Sequence, residues 1–528
     1  MRNYQAIIGS GLFIAVFGGC GANANSESGE PEERVSSSEQ ALSTFSQSFE
    51  ETTQSVVFNA PTGTAWVDLH VTLAAGQVLN VRMTQDGSSF RVGPLPVQPS
   101  DHISYSFTFF VNGAAQDTSA FAYTAPAGSP LLALRAQVGS FSTGPEIQLI
   151  ALSDLDWADA HFSINNGAQQ NVRMTFSDWV YRQPISLHTG DTVRYWITYS
   201  TGTFVAETAH TTFTAVAGKR FVVDQSADST TGSCVADMDS SGGHCNLRAA
   251  LAAAKAAGGS VGIELGVDST LDQGAIALDA PSGSNDYRVA IESKRGLSNT
   301  TISGNGLTRL FSVGPNVTLS LAKLTVQDFQ AADGGSAIAN SGGVQLRLVS
   351  VQHNTTSCFA TGAMTAFATC GGGAITNSGR LTMVASLFDT NTAMATASTA
   401  GSTNANASGG SIGSSGSVLL HPPFTFTGSS VVATATSGVH PFPGSASASS
   451  GGGAIFSSGT LIINFGAGGC TFASNTASAS ATNPDGTAGS ATSRGGAVAT
   501  SGGTFRLAQG ACVFGGNSAA TDPDLSIQ

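Results

Sequence analysis

Charge is what this sequence has least of. Asp, Glu, Lys and Arg make up 10% of its 528 residues, against about 25% in an ordinary soluble domain. After Lys323 there is no Lys and no Glu. Six Asp and four Arg are scattered over the last 205 residues. Such a stretch is ill supplied for reactions that need paired carboxylates or a basic residue beside them. The net charge of −13 argues against nucleic acid or anionic lipid as a partner. Long apolar runs are also missing after the first 20 residues, so no later segment reads as a transmembrane helix. Trp occurs only four times, so each one must be accounted for.

What the sequence does have is Gly, at 64 residues, with Ser, Thr and Ala in abundance. That composition suits short strands and many turns, an all-β chain. Repetition is the second positive signal. WADAHFSINNGAQQNVRM at Trp157–Met174 has a counterpart 91 positions earlier, WVDLHVTLAAGQVLNVRM at Trp66–Met83. Around both, apolar and polar residues alternate with the period of a half-buried strand. Val67, Leu69 and Val71 alternate with Asp68, His70 and Thr72. Val193, Tyr195, Ile197 and Tyr199 alternate with Thr192, Arg194, Trp196 and Thr198. Two tandem β-sandwich modules follow, over 43–126 and 127–216.

The copies differ where the second places Trp196 outward and the first places Ser106. An outward Trp needs a reason. Covering half an indole yields at most about 2.5 kcal/mol, a weak contact of the kind a flat aromatic platform gives a sugar ring. Asp159, His161, Arg173 and Arg194 share the outward face and would add directed hydrogen bonds; Trp179 and Tyr181, on the neighbouring strand, are further candidates. The alternative is that Trp196 packs under a loop or against the other module. Trp66 and Trp157 recur in both copies and read as structural. Asp159 and His161 lack a third partner, so no metal or cofactor is expected.

The stretch Trp157–Met174 with the strand GDTVRYWITY resembles the family 56 carbohydrate-binding modules. That resemblance implies a polysaccharide ligand, a β-1,3-glucan. The first copy has AAGQVLN where the second has NNGAQQN, and it lacks the YW pair.

The N-terminus has Arg2, an apolar run from Ala6 to Phe17, then Gly18-Gly19-Cys20. This signal-peptide plan resembles a bacterial lipobox, which implies lipidation of Cys20, with an ordinary signal peptide as the alternative. The expectation is a lipid-anchored protein of the outer membrane or cell surface, or a secreted one. Residues 21–42 are polar and acidic and read as a disordered tether. Six Cys remain in an oxidising compartment. Proximity pairs Cys234 with Cys245 and Cys358 with Cys370, and equivalent repeat positions make Cys470 with Cys512 a plausible third pair.

From 217 to 528 the chain repeats loosely: GGSAIANSG, GGAITNSG, GGSIGSSG, GGAIFSSG and GGAVATSG, each followed by an alternating strand. Ile338, Ile375, Ile412, Ile455 and Val498 would stack in one interior column, and Asn354, Asn391, Asn475 and Asn517 in a corner ladder. Fixed corners with variable Ser/Ala/Thr-rich insertions leaving as loops describe a parallel β-helix. CNLRAALAAA before it reads as a short helix and resembles the CSLREA-type opening of bacterial surface β-helices. The repeats resemble those of chlamydial-type polymorphic outer-membrane proteins, which implies a right-handed coil. The expected fold is all-β: two β-sandwiches, then a right-handed parallel β-helix serving as stalk or adhesive surface. The competing reading is a polysaccharide lyase or hydrolase, with Asp328, Asp333 and Asp389 as its nearest approach to a carboxylate cluster.

Overall fold

The computed structural model describes residues 45–50, 54–74, 76–97, 101–125, 134–141, 144–151, 155–177, 180–188, 190–202, 204–215, 220–229, 234, 245–284, 287–294, 300–438, 445–463, 469–507 and 512–527. Cys20, the tether and Trp179 lie outside them. Among the described residues no helix is long and apolar enough to cross a membrane.

Alternation builds the first part as expected. In each sandwich a four-stranded antiparallel sheet packs on a five-stranded one, and the two copies have the same strand order. Val67, Leu69 and Val71 in the first, and Val193, Tyr195, Ile197 and Tyr199 in the second, are buried between the sheets. The two interiors join in one hydrophobic cluster. The Tyr199 hydroxyl, fully buried, donates to the Pro94 carbonyl oxygen of the first sandwich at 2.8 Å, and the Glu207 amide donates to Gln77 at 3.2 Å. A continuous apolar interior with hydrogen bonds across it, one of them buried, makes the pair one packed body.

From Arg220 onward the strands are parallel. Three sheets of nine, eight and eight strands form the walls of a β-helix. The helix Leu247–Ala257 caps its first coils. Asn246 accepts from the Ala249 amide at the N-cap, and Leu247, Leu251 and Ala254 are buried. The register stacks Phe311, Ile338, Ile375, Ile412, Ile455, Val498 and Leu525 in one column. Phe388, Phe426, Phe472 and Phe514 form a second, with centroids 4.8, 5.2 and 5.1 Å apart. The Asn ladder is present too. Asn391 accepts from the Asn354 amide at 3.1 Å and Asn517 from the Asn475 amide at 3.0 Å, with Ser429 taking the intervening coil.

The repeated Gly-Gly has a steric cause. Gly372 has φ +60°, and a Cβ there would lie 1.9 Å from the Ile375 carbonyl oxygen; one on Gly373 would lie 1.9 Å from the Gly410 oxygen of the next coil. Only glycine turns this corner and lets the next coil pass.

The insertions differ from expectation. They do not leave as loops. Each runs out as a strand and returns as another, and successive coils stack these into two further parallel sheets. The outgoing sheet includes Thr355–Gly362, Thr392–Thr399, Ser430–Ser437 and Thr476–Thr482. The returning one comprises Thr365–Gly371, Ser402–Ser408, Ala446–Gly451 and Ser490–Arg494. They pack through alanine: Ala393, Ala395, Ala397, Ala405, Ala433 and Ala435 are all 0% exposed. What reads as low-complexity sequence is the alternation of a thin two-sheet fin, with Ala inside and Ser or Thr outside.

The three disulfides pair as sequence position suggested: Cys234–Cys245, Cys358–Cys370 and Cys470–Cys512. Each marks a place where ladders begin or end. The first lies beside the capping helix, the second joins the two fin sheets in their first full layer, and the third ties the final two strands of one wall.

Candidate functional site

The outward face of the second sandwich's five-stranded sheet is built in rows. Register sets Asn171, His161 and Trp196 across three strands, and the row beside it holds Arg173, Asp159, Thr198 and Glu207. On the other side Ser163, Arg194 and Thr212 align.

Two sets of contacts hold these rows. His161 Nδ1 lies 2.7 Å from Asn171 Oδ1 and its Nε2 lies 2.9 Å from the Thr198 hydroxyl. The neutral ring satisfies both by donating from Nδ1 and accepting at Nε2. Arg173 pairs with Asp159 through two nitrogens, and its guanidinium lies 4.7 Å from the Trp157 ring centroid. The hydrogen bond to Asp159 pushes the Arg173 pKa up from its usual value.

Both sets recur in the first sandwich. His70 bridges Asn80 and Thr108 at 2.6 and 2.9 Å. Arg82 pairs with Asp68 and lies 4.4 Å from the Trp66 ring. Asp159, His161 and Arg173 are therefore occupied by a framework common to both copies. Arg194 is exposed and in neither set.

The second sandwich alone has Trp196. Its ring is 4.1 Å from that of His210 at an interplanar angle of 7°, and 5.2 Å from that of His161 at 15°. Rings side by side in one plane could not come so close without their edges interpenetrating. The rings on either side of each contact are therefore stacked rather than coplanar. Trp196 is thus not a free-standing indole: two imidazoles lie nearly parallel to it, at 4.1 and 5.2 Å.

His210 is the residue that strand periodicity could not reveal, because it follows the short strand Val205–Glu207. Thr208 places it. The Thr208 hydroxyl accepts from the Ile197 amide at 3.0 Å, and the Thr208 amide donates to the Ile197 carbonyl at 2.9 Å, next to Trp196. Thr118 makes the same pair of bonds to Phe107 in the first copy, where Ala120 stands in the place of His210. Extending the comparison of copies 14 residues past Trp196 finds it.

Tyr181 does not belong to this face. It lies in the four-stranded sheet, 7% exposed, and its hydroxyl donates to the Leu155 carbonyl oxygen at 2.6 Å. Val180, Tyr181 and Arg182 are all buried, so both sides of that strand are covered and alternation carries no information there.

On the β-helix, Arg309 pairs with Asp333, and Asp328 lies 3.9 Å from His353 Nδ1. Among the described residues no three His, Cys, Asp or Glu side chains group as a metal site would require.

Comparison with known proteins bears on the same region. The two sandwiches match carbohydrate binding module family 56, over residues 46–118 and 143–208. The match supports a carbohydrate-binding function for the paired sandwiches. It ends just before His210. Among solved structures, the chain is similar to a crystal structure described as a Br derivative of BhCBM56. The identity there is 24% over 16% of this chain and 92% of that one, with a TM-score of 0.15. It is also similar to the chicken CNTN1 FN1–FN3 domains, at 8% identity over 31% of this chain and 62% of that one, with a TM-score of 0.13. No curated protein matches the chain.

Proposed function

We propose that the second sandwich binds a β-1,3-glucan, held across the His161–Trp196–His210 row, with the β-helix as a non-catalytic stalk. The observation that carries this reading is the stacked set of His161, Trp196 and His210 rings, present in the second copy and absent from the first. Glucan hydroxyls would meet Arg194 on one side of the row and Thr198 and Glu207 on the other. Because the sandwiches share one interior, the binding unit is the pair. Anchorage at the cell surface by lipid on Cys20 belongs to the same proposal, supported by the Gly18-Gly19-Cys20 sequence after an apolar run.

Co-sedimentation of the full-length protein with insoluble β-1,3-glucan and with cellulose tests the ligand. Retention on the glucan alone is expected, and equal retention on both removes the assigned specificity. Metabolic labelling with a fatty acid tests the anchor: label should disappear in Cys20→Ser.

A further inference from the structure

A second concave surface lies on the β-helix, where the returning sheet of the fin rejoins the coil. Fin and coil meet there at an inner angle and enclose a trough of about 460 Å³. One wall is a register row of Thr369, Asn406, Ser449 and Thr492, one from each successive strand of the returning sheet. The facing wall is a row on the coil, Phe456, Ala499 and Ser526. Arg494 stands at the junction, in the row of Ser408 and Gly451.

Three features make this a site for a particular chemistry. The four polar side chains of the first wall make no hydrogen bonds to described residues, so a regular row of donors and acceptors faces the trough, repeating at the strand spacing of about 4.8 Å. Second, Arg494 has no carboxylate within ion-pair distance among the described residues, and no Asp or Glu lines the trough, in a chain whose net charge is −13. Third, Phe456 offers a partly exposed ring beside Gly451. A Cβ on Gly451 would lie 3.3 Å from Phe456 Cδ2, so glycine leaves that side of the ring uncrowded. Both walls belong to continuous ladders, and a ligand would find the groups already in place.

We propose that this trough binds an extended glycan bearing carboxylates. Arg494 pairs with a uronate, the hydroxyl and amide row hydrogen-bonds to successive sugars, and Phe456 lies against an apolar sugar face. A single arginine suits sparse carboxylates; nucleic acid or a densely sulfated chain calls for a cluster of cations. A neutral glucan would leave Arg494 unused, so this ligand differs from that of the sandwich face, and the two sites are separable by mutation.

Isothermal titration of the full-length protein with tetrasaccharides carrying one galacturonate or one mannuronate among neutral sugars, and with a neutral glucan tetrasaccharide, tests it. At least one uronate oligomer should bind, more weakly as salt is raised. Arg494→Gln and Asn406→Ala should each lower that affinity, the first by at least tenfold, while Trp196→Ala leaves it unchanged. Asn406 is exposed, so its truncation reports on contact without disturbing the fold. Failure of both uronates to bind overturns the proposal. So does binding that survives Arg494→Gln, or binding lost with Trp196→Ala in a protein of unchanged melting temperature.

Discussion

Trp196 and Ser106 occupy equivalent register positions, opposite His161 and His70 in otherwise matching frameworks. A change at either of the two ring residues peculiar to the second copy should therefore cost binding and little stability. His210→Ala is expected to weaken glucan binding several-fold, with the melting temperature nearly unchanged, as a titration beside a thermal scan would show. If binding strengthens instead, the sugar stacks on an indole face that His210 was covering. Sequence alternation placed Trp196 outward correctly, because a period of two is legible wherever one face is buried. It could not place His210, which a side-chain-to-backbone bond from Thr208 positions, nor Tyr181, whose strand is buried on both sides.

A second prediction at the same scale concerns pH. Burial pushes the Tyr287 phenol up to about 12, from 10.0 for the free side chain. The neutral phenol is the form the folded chain favours. Its contribution is complete below pH 10 and is lost as pH rises through that interval to about 12. The Tyr287 hydroxyl has no hydrogen-bond partner among the described residues. Tyr287→Phe should thus change stability at neutral pH by no more than about 1 kcal/mol. It should also flatten the fall in melting temperature between pH 10 and 12.

At the scale of elements, the Asn ladder and the fin make different demands. Asn391 is fully buried, accepts from the Asn354 amide, and donates to the Val351 carbonyl oxygen at 2.9 Å. Asn391→Ala strands both groups and should cost about 3 kcal/mol in urea unfolding. Asn391→Asp keeps an acceptor for the Asn354 amide but loses the donor to Val351, and should cost less than Asn391→Ala. The ladder was legible in sequence because Asn recurs at one point of each repeat. The fin was not, since Ala and Ser carry too little contrast in hydrophobicity to announce two packed sheets; only the parallel register shows that their insertions pair. In its first layer Cys358–Cys370 stands among the alanines, and beyond it Phe359 and Phe367 are 68% and 70% exposed. Beyond Thr356 this end layer has no partner strand on one side among the described residues, and it opens most readily. Replacing both cysteines by Ala should speed amide exchange in 355–371 while the coil walls keep their protection.

For the molecule as a whole, the account assigns recognition to side chains that stand outside the repetitive scaffold. Duplicated frameworks and stacked coils explain most of the sequence, and the residues they leave over are Trp196, His210, Arg194 and Arg494. The shared interior of the sandwiches implies that binding belongs to the intact pair, so the full-length chain is the proper object of measurement. The central claim is that the second sandwich binds glucan through its ring row. Co-sedimentation of the full chain with insoluble β-1,3-glucan, comparing the unaltered protein with Trp196→Ala and Ser106→Ala, tests it most directly. The account predicts at least a tenfold loss for Trp196→Ala and none for Ser106→Ala; undiminished retention of a folded Trp196→Ala protein would contradict it.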